Sequence, residues 1–356
     1  MAAPLRVGIL PAVGSGLGSM AATGQLERLY VHLGEYTKTF SLTYFSGRPY
    51  HDEVQHWKPF YQRTGAGLWP VPAGLRAALL WPLDDPRIRQ MNVLRAMSLL
   101  GAVPAVVARM RWGIPFVVSH GADYEAIAQI HGRPAWKWRW LRRLVFRFAA
   151  AVIVPSAPMA VRLQHQFPRA RIVHIPNWVD TDLFTPVGYN DGKIAVYVGR
   201  LVAEKNLRRA ARALRRAGWT FQCCGEGPEQ DTLRAEGAVC IGAASWRALP
   251  SLLAGSSLFV LPSLSEGHPK ALLEAMACGL ACAVSDRVEG IIQHGKNGVV
   301  FGAEDEASME RTFRRLRQAP LFRQELGRAA HQTAVERYDI KKVLPREIAL
   351  VQSCAS

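Results

Sequence analysis

Short apolar runs of strand length alternate with longer amphipathic stretches along most of the chain. Buried parallel strands read as continuous apolar runs and the helices between them read as amphipathic, so this alternation predicts an α/β fold with parallel strands. In the first half, strands are predicted over 7–11, 41–45, 115–119, 152–155 and 172–175. Helices are predicted from the loop after the first strand to residue 35, over 89–111 and over 137–150. Residues 46–86 are rich in Pro, Trp and Gly and are predicted to be irregular.

The same pattern restarts after residues 176–180, which read as a crossing between two halves. Strands are predicted over 194–198, 220–224, 257–261 and 282–285. Helices are predicted over 206–217, from Lys270 onward, over 306–338 with a break near Pro320, and over 341–351. A length of 356 residues and two similar α/β halves predict two domains.

The chain is strongly basic, with a formal net charge of +16 although only 20% of its residues are charged. Its hydrophobic content of 49% is enough for two cores. A surface of this charge attracts anions, which include nucleic acid, anionic lipid, and nucleotide or diphosphate substrates. The charge alone does not choose among these classes.

The cysteines and the apolar runs favour a cytoplasmic location. None of the six cysteines forms a Cys-x-x-Cys pair, and Cys278 and Cys282 lack the further ligands of a zinc site. Reduced and mostly buried thiols are therefore expected. The first apolar run, Arg6–Leu10, reads as a strand rather than as a signal peptide. The run over 96–108 is too short to span a bilayer. We expect a cytoplasmic protein that can attach peripherally to the inner face of the membrane.

Two carboxylates eight residues apart frame the most informative stretch of the chain. Gly267 and Pro269 are costly inside a helix, so a helix is predicted to begin near Lys270. Glu266 then lies on a loop, and Glu274 lies about one turn inside the helix. Between the two acids lie the unpaired backbone N–H groups of a helix N-terminus, which attract anions. Because carboxylates bind hydroxyls and repel phosphates, this layout suits a sugar, a diphosphate and a ribose held in line.

A basic loop follows the first predicted strand of the second half. Gly199 comes directly after the strand, and Arg200 and Lys205 flank the loop before the next helix. Ligands of α/β folds bind at the carboxyl ends of the strands, where two cations would neutralise a diphosphate. The alternative is a solvated basic helix start, because Arg208 and Arg209 continue the positive charge.

Three other loops follow predicted strands and contain candidate residues. Gly225 opens a tight turn after the strand 220–224. Gly16 lies in a glycine-rich loop that would let a ligand approach the backbone closely. That loop departs from a dinucleotide fingerprint, because Ser19 occupies the third glycine position. His120 follows a strand directly and is well placed to reach a substrate.

Asp180 and Asp182 form an Asp-x-Asp pair at the crossing between the halves. Such a pair can hold a metal ion, but Asp residues are also common in turns and at helix caps. We interpret both as turn and cap residues, and we expect neither a metal nor another cofactor.

Residues 136–148 combine five basic residues with three tryptophans and two phenylalanines. In a helix, Leu141, Leu144, Val145 and Phe148 would share one face, and most of the arginines would lie elsewhere. The segment can be a domain helix packed on the core with a solvated basic face. It also has the composition of an interfacial helix that contacts anionic lipid headgroups.

The stretch from Glu266 to Glu274, with the flanking Val260–Ser263 and Gly279-Leu280, resembles the Glu-x7-Glu signature of retaining glycosyltransferases of family 4. Residues 199–206 resemble the Gly-Arg…Lys-Gly/Asn element of the same family. The resemblance is strong over residues 172–302 and weaker in the N-terminal half. It implies the GT-B fold, in which two Rossmann-like parallel-sheet domains face each other across a cleft. The implied parts are an acceptor domain over 1–177, a nucleotide-sugar domain over 178–338, and a terminal helix over 339–356 that returns to the first domain.

The resemblance also implies a reaction and a role for each candidate residue. A sugar would move from a UDP- or GDP-sugar to a hydroxyl of a lipid-linked or cell-envelope glycan, with retention of the anomeric configuration. The implied catalytic residues are His120, Arg200, Lys205 and Glu266. The implied donor-binding residues are Gly16, Gly199, Arg200, Lys205, Gly225, Glu266, Gly267, His268, Pro269, Lys270, Leu272, Leu273 and Glu274. The family usually has a glycine where this chain has Trp178.

Two other classes of function remain open at this point. A sugar-nucleotide epimerase or a phosphorylase can share the GT-B architecture. A non-enzymatic protein that binds anionic membranes or nucleic acid would explain the net charge of +16. Nucleic acid is the weaker partner, because Glu266 and Glu274 would repel a polyanion at the phosphate cradle.

Overall fold

Two parallel β-sheets organise the chain in the computed structural model, which describes residues 4–11, 17–22, 24–46, 57–58, 61, 67–70, 75–186, 188 and 190–355. The chain divides into two units. Unit 1 comprises residues 1–121, 134–175 and 344–356, and unit 2 comprises residues 122–133 and 176–343. Each unit contains one of the sheets, so the predicted α/β fold with two Rossmann-like parallel sheets is confirmed.

The strands of unit 1 are β1 (Arg6–Leu10), β2 (Ser41–Ser46), β3 (Gly67–Pro70), β4 (Val93–Ala96), β5 (Phe116–Ser119), β6 (Ala151–Val154) and β7 (Ile172–His174). They form a seven-stranded parallel sheet in the order β3-β2-β1-β4-β5-β6-β7. The strands of unit 2 are β8 (Ile194–Val198), β9 (Thr220–Cys224), β10 (Val239–Gly242), β11 (Leu258–Leu261), β12 (Cys282–Ser285) and β13 (Val299–Phe301). They form a six-stranded parallel sheet in the order β10-β9-β8-β11-β12-β13.

Helices connect the strands in both units, as parallel pairing requires. The first seven are α1 (Leu17–Ala22), α2 (Leu26–Thr37), α3 (Leu75–Asp84), α4 (Val103–Trp112), α5 (Tyr124–Ile130), α6 (Trp136–Phe148) and α7 (Ala157–Gln166). The others are α8 (Leu207–Arg216), α9 (Gln230–Ala235), α10 (Leu249–Ala254), α11 (Lys270–Ala277), α12 (Glu306–Gln318), α13 (Pro320–Arg337) and α14 (Ile340–Cys354). Within the described ranges, no helix is both long enough and apolar enough to cross a bilayer.

The prediction of one helix over 89–111 is wrong, because this segment contains a central strand. β4 pairs with β1 on one side and with β5 on the other, and α4 begins only at Val103. All four residues of β4 are buried. A short run that is buried on both faces has no periodicity that separates a strand from a helix. Regular structure also occurs within 46–86, where β3 and α3 form.

An ionic cluster in the core of unit 1 joins β4 to helices α2 and α14. Arg95 is 2% exposed, and its Nε and Nη2 donate to Oε1 of Glu347 at 2.9 and 2.8 Å. The same oxygen accepts the Tyr36 hydroxyl at 2.7 Å, and Arg95 also donates to Ser119 Oγ at 2.6 Å. Burial alone would raise the pKa of Glu347, but Arg95 and His32 outweigh it and hold that pKa well below its usual range. The buried arginine is therefore compensated by a carboxylate from the terminal helix.

The cysteines agree with the prediction of buried, reduced thiols. All six are free, and five of them are buried. Burial raises the pKa of Cys278 to about 12, and the negative charge of Glu274 adds to this effect. The Cys278 thiol is thus neutral at physiological pH.

We predict that Arg95→Leu destabilises the protein by about 3–5 kcal/mol, because it leaves Glu347 buried without its cation. Urea unfolding at pH 7 measures the loss. Lys38→Gln is the control, since its pair with Glu35 is exposed and contributes less than about 1 kcal/mol. Because the pKa of Glu347 is lowered by folding, its contribution is present above about pH 4.3 and declines as the pH falls below it. Equal stability of the two variants would contradict the role of this cluster.

Candidate functional site

Several candidate residues lie in loops that follow strands of the unit 2 sheet. Gly199 comes after β8, Gly225 after β9, and Ser263 two residues after β11. Because these strands are parallel and adjacent, their carboxyl ends meet at one edge of the sheet. Unit 2 therefore gathers the sequence-predicted residues Arg200, Lys205 and 266–274 around this edge.

The loops after β8 and β9 continue to pair backbone to backbone beyond the sheet. The N–H of Gly199 donates to the carbonyl of Cys224 at 2.9 Å, and the N–H of Leu201 donates to the carbonyl of Glu226 at 2.8 Å. A Cβ on Gly225 would lie 1.9 Å from the Gly199 carbonyl oxygen, and Gly225 has a φ of +144°. The predicted tight turn at Gly225 is thus a position where only glycine fits.

Lys205 and Glu266 form a direct ion pair at the centre of this edge. Lys205 Nζ donates to Glu266 Oε1 at 2.6 Å, and Ser263 Oγ donates to the same oxygen at 2.8 Å. The Lys205 and Glu266 side chains are only 15% and 11% exposed, so the pair is largely screened from water. The sequence indicated both charged residues but not that they bind each other, nor the contribution of Ser263.

Arg200 extends from the same loop and is far more accessible than Lys205. Its side chain is 70% exposed, and its Nη2 lies 3.2 Å from Glu204 Oε1. The Tyr197 hydroxyl donates to the Arg200 carbonyl at 3.0 Å. Burial raises the pKa of Tyr197 well above its usual value, and the charge of Glu266 raises it further, so Tyr197 stays a neutral donor. Arg200 therefore combines a fixed backbone with a guanidinium that faces solvent.

Glu204 is a buried acid whose connections the sequence does not reveal. It is 4% exposed, and its two carboxylate oxygens contact Arg200 at 3.2 Å and His131 Nε2 at 3.1 Å. Its carbonyl accepts the N–H of Leu264 at 2.8 Å. Glu204 thus joins the β8 loop to the β11 loop and to the segment that contains α5. In the sequence, only the position of Glu204 directly before Lys205 indicates a role at this site.

Asn206 ties three loops together at the start of α8. Its backbone is left-handed, with φ +56° and ψ +29°, a conformation that Asn tolerates better than most residues. Its side-chain amide donates to the carbonyls of Pro262 at 3.1 Å and Ala303 at 2.8 Å. These bonds fix the loops after β11 and β13 against the loop that contains Lys205.

Helix α11 begins at Lys270, as predicted, and Pro269 before it is extended. Gly267 and His268 are buried, whereas Lys270 is exposed. The first backbone N–H groups of a helix have no partner within it, so this start can bind an anion. The side chains of Leu272 and Leu273 are fully buried, which leaves only their backbone for a ligand.

Two polar contacts hold the segment before α11. Asn177 donates its side-chain amide to the carbonyl of His268 at 2.6 Å. The His268 ring packs edge-on against Tyr338, with ring centroids 5.3 Å apart. The His268 imidazole is therefore a packed side chain, and its backbone lies next to the helix start.

Glu274 is 3% exposed and accepts a 2.8 Å hydrogen bond from the indole N–H of Trp246. Trp246 in turn packs edge-on against Trp178, with centroids 6.4 Å apart, and its ring is tilted against that of Phe184, with centroids 5.7 Å apart. The tryptophan at position 178, where the resembling family usually has glycine, thus supports the side chain that orients Glu274. Neither Trp246 nor this role of Trp178 was predicted.

His120 and Gly16 belong to the sequence of unit 1 rather than unit 2. His120 directly follows β5, is 2% exposed, and packs edge-on against Phe146 with centroids 5.4 Å apart. Its backbone N–H donates to the carbonyl of Ile153 at 2.9 Å. Gly16 lies outside the described residues.

Asp180 and Asp182 make the contacts of a turn. Oδ1 of Asp180 accepts the N–H groups of Asp182 and Leu183, both at 3.1 Å. Asp182 accepts a 2.8 Å hydrogen bond from Lys341. Over the part of the chain that the structure describes, no three His, Cys, Asp or Glu residues are grouped so that they could hold a metal ion.

Two family models match most of the chain between them. "Glycosyltransferase Family 4" matches residues 41–183, and "Glycosyl transferases group 1" matches residues 192–318. The match over 192–318 contains all the sequence-predicted residues of the unit 2 edge, from Gly199 to Glu274.

The chain is similar to curated relatives over about half of its length and to a solved structure over nearly all of it. The chain is 28% identical over 223 residues to the Escherichia coli UDP-Gal:alpha-D-GlcNAc-diphosphoundecaprenol alpha-1,3-galactosyltransferase, covering 53% of this chain and 56% of that protein. It is 30% identical over 179 residues to the exopolysaccharide phosphotransferase SCO2592 of Streptomyces coelicolor, covering 46% of this chain and 19% of that protein. The chain thus spans between a fifth and just over half of these relatives. The structure of Anabaena HepE in complex with UDP and glucose shares the fold, with a TM-score of 0.79, 15% identity, and coverage of 98% and 100%.

We predict that Gly225→Ala lowers the free energy of unfolding by at least about 2 kcal/mol, because the new Cβ would combine backbone strain with a clash against the Gly199 carbonyl. Gly218→Ala is the matched control. Gly218 also has a positive φ, +79°, but a Cβ there meets nothing within 4 Å. Thermal or urea unfolding compares the two variants. Equal losses would show that the clash with Gly199 is relieved at little cost.

Proposed function

Because this chain belongs to the family 4 glycosyltransferases, which have the GT-B fold, we propose that it transfers a sugar with retention from a UDP- or GDP-sugar to a hydroxyl acceptor. The observation that carries the proposal is the Lys205–Glu266 pair beside the start of α11, with Glu274 in the same helix. A cation, a helix N-terminus and two acids form a binding site for a diphosphate that has a sugar on one side and a ribose on the other.

We assign binding of the diphosphate to the two cations of the β8 loop and to the start of α11. Arg200, Lys205 and the backbone N–H groups of residues 270–273 would stabilise the negative charge that develops on the leaving phosphate. Arg200 is accessible for this contact because its side chain is 70% exposed. Lys205 is held in place by Glu266, and an ammonium group has three N–H donors, so one bond to Glu266 leaves others for phosphate oxygens.

Glu266 is assigned to the sugar hydroxyls and Glu274 to the ribose hydroxyls. Lys205 and Ser263 both donate to Oε1 of Glu266, which leaves Oε2 able to accept a hydroxyl. Trp246 donates to Oε1 of Glu274 and so orients this carboxylate before the donor binds. We also propose that His120 lies by the donor sugar, that Gly199 belongs to the donor site, and that the loop containing Gly16 lets the ligand approach the backbone closely.

The proposed reaction needs no protein nucleophile. The bond between the anomeric carbon and the leaving phosphate oxygen breaks, and a bond to the acceptor oxygen forms on the same face of the sugar. The acceptor proton passes to the leaving phosphate. The protein supplies orientation and stabilises charge, which are the main sources of catalysis when no covalent intermediate forms.

We propose that the acceptor is a lipid-linked or cell-envelope glycan. The similar Escherichia coli enzyme is named for an acceptor on diphosphoundecaprenol. The charge distribution of this chain points the same way: unit 1 contains 21 Lys and Arg but only 7 Asp and Glu. A basic surface suits an acceptor that has a diphosphate and lies at an anionic membrane.

The test is product analysis by NMR after incubation with UDP- and GDP-sugars and a diphosphoundecaprenol-linked sugar. We expect a new glycosidic bond whose anomeric configuration equals that of the donor. Inversion at the anomeric carbon would contradict the retaining mechanism. Conversion of the nucleotide sugar without acceptor would favour an epimerase, and its cleavage by inorganic phosphate would favour a phosphorylase.

We predict that Arg200→Ala and Lys205→Ala each lower turnover at saturating donor by more than tenfold, through lost stabilisation of the leaving group. Arg208→Ala is the control, because Arg208 is an exposed cation in the first turn of α8 and makes none of the contacts described above. Steady-state kinetics compare the variants. If the control loses as much activity as the other two variants, Arg200 and Lys205 contribute only general positive charge, and their role at the leaving group is contradicted.

We further propose that the reaction needs no divalent metal, since cations and a helix start serve the diphosphate. Asp180 and Asp182, the residues that most resemble a metal motif, are engaged in turn contacts and with Lys341. Activity is expected to persist in excess EDTA. Loss of activity that magnesium or manganese restores would overturn this part of the proposal.

A further inference from the structure

The excess positive charge lies almost entirely in unit 1. Its 21 basic and 7 acidic residues give a net charge of +14, whereas the 23 basic and 21 acidic residues of unit 2 give only +2. The residues assigned to the nucleotide diphosphate lie in unit 2, so the donor does not account for the charge of unit 1. The charge of unit 1 therefore suits an anionic partner other than the donor.

The charge of unit 1 is concentrated in a stretch without acids. Residues 134–175 of unit 1 contain eight Lys and Arg residues and no Asp or Glu. Helix α6 contains five of these eight within thirteen residues. Neighbouring acids therefore cannot neutralise α6 along the chain.

Helix α6 packs on unit 1 by one side and presents the other to solvent. Val145 and Phe146 are buried, and Trp138 is half-buried. At about 100° per residue, these three side chains lie on one side of the helix, and Trp136, Trp140 and Arg147 lie on the opposite side. The packed side accounts for the ordinary role of α6 as a domain helix.

The outward side combines large apolar side chains with cations. Trp136, Trp140 and Leu144 are 56%, 63% and 47% exposed. The exposure of Leu144 corrects the apolar face expected from the sequence, which grouped Leu144 with the buried Val145. We call this surface the α6 outer face; it consists of Trp136, Lys137, Arg139, Trp140, Arg143, Leu144 and Arg147, all exposed.

Two of the four cations of the α6 outer face lie close to indole rings. Lys137 Nζ lies 5.7 Å from the centroid of the Trp136 ring, and the Arg143 guanidinium lies 5.8 Å from that of Trp140. Arg142 differs, because it is half-buried and its guanidinium lies over the Phe167 ring. The two cation–indole pairs therefore place positive charge next to exposed apolar rings.

Helix α4, which packs beside α6, adds the same chemistry. Its last turn exposes Arg109, Met110 and Arg111, and Met110 is 67% exposed. Exposed apolar side chains that are interspersed with cations are typical of surfaces at a membrane interface, where rings enter the headgroup region and cations meet lipid phosphates.

We propose that the α6 outer face docks unit 1 on a bilayer that contains anionic lipid. Charge complementarity identifies the partner, because the face contains four cations and no acid. The exposed Trp, Leu and Met side chains favour lipid over nucleic acid, since Leu144 and Met110 have no ring to stack on a base. Docking would bring unit 1 to the surface at which a lipid-linked acceptor is anchored, yet it depends on neither donor nor catalysis.

The test is co-sedimentation of the full chain with phosphatidylcholine vesicles, with and without phosphatidylglycerol. The wild type should bind only the acidic vesicles, and the binding should fall at about 1 M salt, where the Debye length is about 3 Å. Lys137, Arg139, Arg143 and Arg147 changed together to Gln should lower the partition coefficient at least tenfold. Trp136→Ser with Trp140→Ser should also lower it, which tests the apolar contribution.

Matched controls separate this face from general charge. Arg208, Arg215, Arg311 and Arg328 are exposed residues of unit 2, and changing them to Gln removes the same charge. Leu321→Ser is the apolar control, since Leu321 is 73% exposed in unit 2. Both controls should bind like the wild type. Three results would overturn the proposal. The two quadruple variants could lose binding equally, or the wild type could fail to bind acidic vesicles at low salt. An oligonucleotide could also displace the protein from vesicles at a lower concentration than lipid does. Because the assay contains no nucleotide sugar, its outcome is independent of the glycosyl-transfer test.

Discussion

Direct backbone contact between the loops after β8 and β9 is the constraint on which the candidate site depends. The Gly225 backbone approaches the Gly199 carbonyl so closely that any side chain would clash. Two backbone hydrogen bonds donated by the β8 loop extend the pairing of these strands past the end of the sheet. These contacts hold the backbone of the β8 loop from which Arg200 and Lys205 extend. Asn206 then fixes the far end of the loop to its neighbours.

Local pairing, rather than the total charge of the chain, would prepare the proposed diphosphate site at this edge. Lys205 is paired with Glu266 and Arg200 with Glu204, so each cation is held by an acid before any ligand arrives. A pre-organised cation stabilises developing charge without reorganisation. The near neutrality of unit 2 agrees with this arrangement, because a few placed charges replace a broad positive field. The charge of unit 1 then has a separate cause, which we assign to a lipid surface.

The sequence predicts elements well where a local pattern is decisive. The helix start at Lys270 follows from the glycine and proline before it, and the strands β8, β9 and β12 follow from bounded apolar runs. It fails for β4, because a run buried on both faces reads equally well as a helix, and Arg95 within it finds its partner 252 residues later at Glu347. The site shows the same limit. Lys205, Glu266 and Glu274 are visible as charged residues at defined spacings, whereas Trp246, His131 and Trp178 act through contacts between distant segments.

The carboxyl edge of the unit 2 sheet is the proposed binding site for the nucleotide diphosphate. Hydrogen–deuterium exchange of the full chain, with and without UDP or GDP, tests it directly, because ordered ligand contacts slow the exchange of local amides. We expect one of the two nucleotides to protect peptides that cover residues 199–206 and 266–277, and to leave α6 unchanged. Protection confined to unit 1, or no protection at either nucleotide, would contradict the account.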